Sequence, residues 1–219
     1  MAIPKLIHRA WFGPREMPTE YREYGEKWRD LNPDWHLIDW TYETVPQLIN
    51  EDLFHECGRI WTPNAGAAKQ TSIIQVAQAD LLGYELLYSF GGLYVNTDME
   101  PLRPIPSDFL EYDVLLANEI DNWLISNAWM MSAPRHPLMR AVITAIPDNI
   151  ARETRSIDWQ TGPKLLTRIK EEQFPDTPVL PAHYCNPWTD TPWGQPHPDS
   201  ICAHHWGHKH PDDLLWGER

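Results

Sequence analysis

Cationic side chains are scarce in this sequence: 18 Lys and Arg stand against 31 Asp and Glu, for a formal net charge of −13. Proteins that embrace phosphate backbones need clustered Lys and Arg, so nucleic acid is a disfavoured partner, although one nucleotide held locally is compatible. Long apolar runs are absent too. Charge or proline interrupts each stretch well before the roughly 20 apolar residues of a membrane span. The N-terminal segment MAIPKLIHRAWFG lacks both the apolar region and the small-residue cleavage site of a signal peptide. The three cysteines, Cys57, Cys185 and Cys202, are odd in number and widely spaced, which makes no disulfide framework and points to a reduced, cytoplasmic protein. Without repeats, low-complexity tracts or long linkers, residues 1–219 read as a single domain.

Tryptophan and proline, by contrast, are abundant, at 12 and 21 residues. Tryptophan offers a flat apolar face and one donor, which suits stacking on sugars or bases as well as filling a core. An apolar β-prone run over 3–12 reads as a first strand, with Gly13-Pro14 as a turn. A helix is expected from Pro18 to Trp28, then a break at Asn32-Pro33-Asp34 and a strand from Trp35 to Trp40. Such alternation of strand and helix predicts an α/β fold with a mostly parallel sheet flanked by helices.

The strongest helix is expected over Ala67–Ser89, stopped by Gly91-Gly92. Within it, Asp80 has Val76, Ala77, Gly83 and Tyr84 as its i±3 and i±4 neighbours, a carboxylate on an apolar face. Such a group needs partners: either a neighbouring loop's backbone or a polar ligand. Leu93-Tyr94-Val95 reads as a short buried strand. Extended alternation beyond it would send Asn96, Asp98 and Glu100 to one side and Thr97 and Met99 to the other. Oxygen ligands gathered past the carboxyl end of a buried strand suit a hard divalent cation shared with substrate phosphates, Mg²⁺ or Mn²⁺.

Ala79-Asp80, Tyr84, Leu87-Tyr88 and Gly91-Gly92-Leu93-Tyr94-Val95-Asn96-Thr97-Asp98 together resemble the core signature of glycosyltransferase family 32. These are DXD-containing sugar transferases that include initiating mannosyltransferases and capsular polysaccharide enzymes, and they are related to clostridial glucosylating toxins. IPKLIHRAWFG resembles the family's opening strand, Asn32-Pro33-Asp34-Trp35 its second segment, Thr161-Gly162-Pro163 its donor-side loop, and Ala203-His204-His205-Trp206 its C-terminal strand. The resemblance implies a GT-A fold and a retaining hexosyl transfer from a UDP- or GDP-sugar to a glycan or other hydroxyl acceptor. It also implies a metal bridging the DXD motif and the diphosphate, held by Asn96, Asp98 and His205 with Glu100 as a further ligand. On the donor side it implicates Ala10, Trp11, Asp80, Gly92, Asn96, Thr161 and Gly162, with Trp11 flanking the base. Asp98, Asp121 and Asn127 are the implied catalytic group, the last two touching the transferred sugar's hydroxyls from a loop at 118–123 and the end of the following strand. Trp123 and Trp206 are further candidate walls of the donor site, and Trp188 and Trp193 of the acceptor site.

Two positions depart from the family pattern. Asn96 replaces the first aspartate of the motif and brings an amide oxygen but no charge. Gly83 replaces an arginine three residues after Asp80. These departures leave open a non-catalytic nucleotide-sugar or glycan-binding module of the same fold. A modified nucleic acid is an alternative acceptor if Arg152, Arg155, Lys164, Arg168 and Lys170 form a basic patch. The C-terminal series Cys202, His204, His205, His208 and His210 raises a zinc-dependent hydrolase as a third reading, but no ligand spacing typical of zinc stands out.

Overall fold

The computed structural model describes residues 2–13, 15–56, 67–152, 156–187 and 196–205. Cys57, Arg155, Trp188, Trp193, Trp206, His208 and His210 lie outside the described residues. The first half of the chain runs β1 (Leu6–Ala10), α1 (Thr19–Leu31), β2 (His36–Trp40), α2 (Glu51–Glu56), α3 (Ala67–Ser89), β3 (Gly92–Val95) and β4 (Met99–Pro101). The second half runs β5 (Val114–Ile120), β6 (Leu124–Ser132), α4 (Pro137–Arg152), α5 (Ile157–Gln160), α6 (Pro163–Gln173), β7 (Val179–Leu180) and β8 (Cys202–His204). None of the described helices is long and apolar enough to cross a membrane.

Six strands form the main sheet in the order β2-β1-β3-β6-β5-β7. The β1–β2, β1–β3 and β5–β7 pairs are parallel, whereas β6 runs antiparallel to both β3 and β5. The sheet is therefore mostly parallel, as the strand and helix alternation predicts, with β6 as the reversed strand. A second sheet pairs β4 with β8.

Period-two alternation divides the core between the sheet's faces. Tyr94, Leu116 and Met130 join Leu81, Leu82 and Leu86 of α3, Val142 and Ile146 of α4 and Leu166 of α6 in one cluster. Leu93, Val95, Leu115, Trp129 and Met131 join Trp28 of α1, Met99 of β4 and Cys202 of β8 in the other. Trp28 Nε1 also donates to the Met99 carbonyl at 3.1 Å, tying α1 to the small sheet.

The α3 helix has the bounds the apolar pattern suggests, because Gly91 and Gly92 follow it at φ +68° and +104°, the left-handed region that glycine tolerates. The 118–123 segment differs from expectation. Asn118–Ile120 completes β5, only Asp121–Trp123 turns, and Ser126–Ala128 lies within β6 rather than at its end. Backbone pairing between the strands carries the ladder past the point where polar residues suggest a loop.

Candidate functional site

From β1 the chain passes to β2 on one side and later to β3 on the other. That reversal is the place where open α/β sheets bind ligands, beyond the carboxyl ends of the strands. Ala10 ends β1 and is buried, and Trp11 follows, half-buried, its Nε1 donating to the Arg15 carbonyl at 2.8 Å and its ring edge-on to Tyr21. Asn96–Asp98 follows β3 beside it. Gly92, at the amino end of β3, stands apart from this group. A Cβ there would lie 2.6 Å from the Leu6 carbonyl oxygen, so strand packing is one reason for glycine at this position.

Asn96–Met99 is a turn, closed by the Met99 amide on the Asn96 carbonyl at 3.1 Å, and the Asn96 amide reaches the Ala128 carbonyl on β6. The turn cancels the strict alternation expected of Asn96, Asp98 and Glu100. Asp98 is buried, with its Oδ1 3.3 Å from His204 Nε2. Glu100 sits on β4 between Lys27 Nζ at 2.8 Å and His205 Nε2 at 3.0 Å. Burial would raise its carboxyl's pKa, but the hydrogen bonds and charges of these two partners outweigh that and hold it below the ordinary value. His205 meets Glu100, its ring stacked on Tyr24, whereas His204 is the histidine that faces Asp98. Neighbouring residues of a strand point opposite ways, so the His-His pair alone cannot say which ring turns inward.

Asp98 and His204 offer a carboxylate and an imidazole side by side, and Asn96 opens the turn that carries Asp98. One carboxylate with few protein ligands fits a Mn²⁺ or Mg²⁺ that completes its shell with water and substrate phosphate. The residues present therefore fit the cation.

A second polar group forms around Asp80. Its Oδ1 accepts from Asn127 Nδ2 at 2.7 Å and its Oδ2 from Thr161 Oγ1 at 2.9 Å, while Tyr84 donates to the Thr161 carbonyl at 3.0 Å. Burial pushes the Asp80 carboxyl up to about 7, against the pull of those two hydrogen bonds. Asp80, Asn127 and Thr161 are thus brought together from α3, β6 and the α5–α6 connection. Tyr94 links this group to the DXD turn: burial and the charges of both Asp80 and Asp98 raise its pKa. Gly83 has a local reason, since a Cβ there would meet the Tyr94 ring at 3.0 Å. Gly162 precedes α6, where a Cβ would come 2.9 Å from the Asp158 Cα.

Asp121 lies at the turn between β5 and β6. Its Oδ1 accepts from the Ala182 amide at 2.7 Å and from Asn118 Nδ2 at 3.2 Å, holding a turn together. The expected basic patch is also engaged locally: Lys164 lies over the Trp159 ring, Arg168 donates to Asn149 and Lys170 to the Pro175 carbonyl.

The sequence profile of the family described as "Glycosyltransferase sugar-binding region containing DXD motif" matches residues 18–129, which hold both Asp80 and the Asn96–Asp98 turn. The chain belongs to this family. It is similar to inositol phosphoceramide mannosyltransferase 2 of Schizosaccharomyces pombe, 28% identical over 189 residues, which cover 83% of this chain and 50% of that protein. The chain spans about half the length of the curated relatives it matches. Among solved structures it is similar to the PaToxG glycosyltransferase, with a TM-score of 0.61 at 14% identity over 80% of this chain and 71% of that one. It is also similar to the UDP-bound glycosyltransferase domain of the YGT toxin, with a TM-score of 0.54 at 12% identity over 82% and 79% of the two chains. The fold of this DXD family member is therefore GT-A, as expected.

Proposed function

We propose that this chain transfers a hexose from a UDP- or GDP-sugar to a hydroxyl acceptor, with retention of configuration and with Mn²⁺ or Mg²⁺. The observation that carries the reading is the meeting of the Asn96–Asp98 turn and His204 with the buried Asp80–Asn127–Thr161 group at the reversal between β1 and β3. A bound divalent cation would offset charge developing on the departing diphosphate. Asp98, Asn96 and His204 would hold it.

The other residues bind and orient. Trp11 presents a half-buried ring for the donor base, its orientation set by the bond to Arg15. Asp80 fixes the Asn127 amide and the Thr161 hydroxyl where a sugar's hydroxyls would be read. The fission-yeast relative is named for inositol phosphoceramide. A hydroxyl on an inositol headgroup or glycan is accordingly the acceptor class to try first, with modified nucleic acid after it. The buried free thiols of Cys185 and Cys202 suit a reducing, cytoplasmic setting.

The test is a panel of UDP- and GDP-hexoses with and without Mn²⁺ or Mg²⁺, read by donor hydrolysis, by transfer and by calorimetric binding. Cation-dependent turnover is expected. Donor binding without turnover would favour the second reading, a non-catalytic module, which Asn96 and the Tyr94-filled space at Gly83 support. Neither binding nor turnover across the panel would overturn both.

A further inference from the structure

Three side chains outside the site described above come together on the protein's surface. The rings of His183 and His197 have centroids 4.3 Å apart, inclined by 48°, and Asp199 Oδ2 lies 3.7 Å from His197 Nδ1. One ligand atom from each of His183, His197 and Asp199 can be chosen so that all lie within 4.8 Å of one another. His183 is half-buried and the other two are exposed.

We propose that His183, His197 and Asp199 form a binding site for Zn²⁺, distinct from the cation at Asp98. Two imidazoles and one carboxylate are borderline-soft and hard donors in the mixture that zinc accepts, and three protein ligands with one open position is a common zinc arrangement. Ligand bonds of about 2.0–2.2 Å in tetrahedral geometry put donor atoms roughly 3.3 Å apart, so the set must close by about 1.5 Å. Side-chain rotation supplies that movement at His197 and Asp199, which are exposed. The Asp199 amide donates to the Nδ1 lone pair of His197 at 3.1 Å, so zinc binding exchanges this bond for the metal at Nδ1 and leaves the proton on Nε2.

The backbone beneath these ligands is already tied. Ser200 Oγ donates to the His183 carbonyl at 2.6 Å, the Ile201 amide to the Tyr184 carbonyl at 2.8 Å, and the Ser200 amide to the His197 carbonyl at 2.9 Å. With the frame already tied, the conformational entropy lost on binding is confined to the ligand side chains. Position gives the site a consequence. The 197–200 segment leads into β8, which carries His204 to Asp98, and the 182–184 turn is anchored on Asp121. Zinc would staple these two segments together and stabilise the folded chain by mass action.

The experiment titrates the metal-free full chain with Zn²⁺ alone by calorimetry and follows thermal unfolding with and without Zn²⁺. The Asp98→Ala variant, which removes the carboxylate of the other cation site, should still bind one equivalent and still gain in Tm. His183→Gln with His197→Gln should lose that equivalent, by more than the roughly 10–100-fold that loss of a supporting residue costs. His197→Gln alone changes an exposed side chain and should weaken binding in the same direction with the metal-free Tm unchanged, which separates ligand loss from misfolding. An equivalent retained at full affinity in the double variant, or no binding by the unaltered chain, overturns the proposal. Neither result depends on whether the chain turns over a nucleotide sugar.

Discussion

Replacing Asp80 with asparagine should stabilise the protein at neutral and alkaline pH while impairing its function. In the folded chain burial raises the Asp80 pKa from 3.8 to about 7, with the bonds from Asn127 and Thr161 only partly offsetting desolvation. Below pH 3.8 both folded and unfolded chains hold the proton and the group has no net effect. Between 3.8 and about 7 the unfolded chain releases its proton while the folded chain keeps it, so stability falls as pH rises. The loss levels off above pH 7 at about 4 kcal/mol, the equivalent of roughly three pK units. The substituted asparagine cannot ionise, so this slope disappears. Its carboxamide matches one partner and forces the Thr161 hydroxyl to turn, a cost of about 1 kcal/mol that does not vary with pH. The difference between Asp80→Asn and the unaltered chain should therefore grow by about 2 kcal/mol from about pH 5.5 to about pH 8. Urea unfolding followed by tryptophan fluorescence measures it, and the subtraction cancels every other titrating group. A difference constant to within about 0.5 kcal/mol over that range would refute the reasoning. In the same preparations donor affinity should fall by roughly 10–100-fold, the scale of a hydrogen bond to a charged group.

Asp98→Ala should cut cation-dependent turnover by about 100-fold or more, the scale of losing one electrostatic stabiliser, with little change in the unfolding midpoint; full activity would remove Asp98 from the cation. Asn96→Asp should lower the Mn²⁺ concentration for half-maximal activity by about tenfold or more, since a unit charge beside a cation is worth a few kcal/mol at an effective dielectric near 20. An unchanged Mn²⁺ requirement would place Asn96 outside the cation's shell. Gly92→Ala should cost about 2–4 kcal/mol in urea unfolding, from φ +104° and the approach to Leu6, with donor affinity per folded molecule unchanged. A lowered donor affinity would place Gly92 at the donor site.

Local order accounts for what was legible beforehand. The α3 helix carries its own stop in Gly91 and Gly92, and β1, β2 and β3 are apolar runs between turn signals, so neither needed information from distant residues. Where a distant partner decides the local geometry, the local sequence points elsewhere. The 118–120 segment looks like a loop but pairs with β6, and the 96–100 segment looks extended but turns at Asn96–Met99, where its next amide partner lies on β6 and its next strand partner on β8.

The site divides along the same line. Asp80 was conspicuous as a carboxylate on an apolar helix face, but its two partners are 47 and 81 residues away in sequence, and only resemblance to a family pointed to them. His204 and His205 are adjacent and chemically alike, so the choice between Asp98 and Glu100 is made by which face of β8 packs against β4. The same division bears on Asp80 itself. A solvated carboxylate would cost the fold nothing, whereas this one carries a penalty that rises through the physiological pH range. Its two bonds hold Asn127 on β6, beside the Ala128 carbonyl that receives the Asn96 amide, and Thr161 at the entry to α6. A destabilising charge that fixes Asn127 and Thr161 at once fits the proposed donor-binding role, because packing alone would be better served by a neutral side chain.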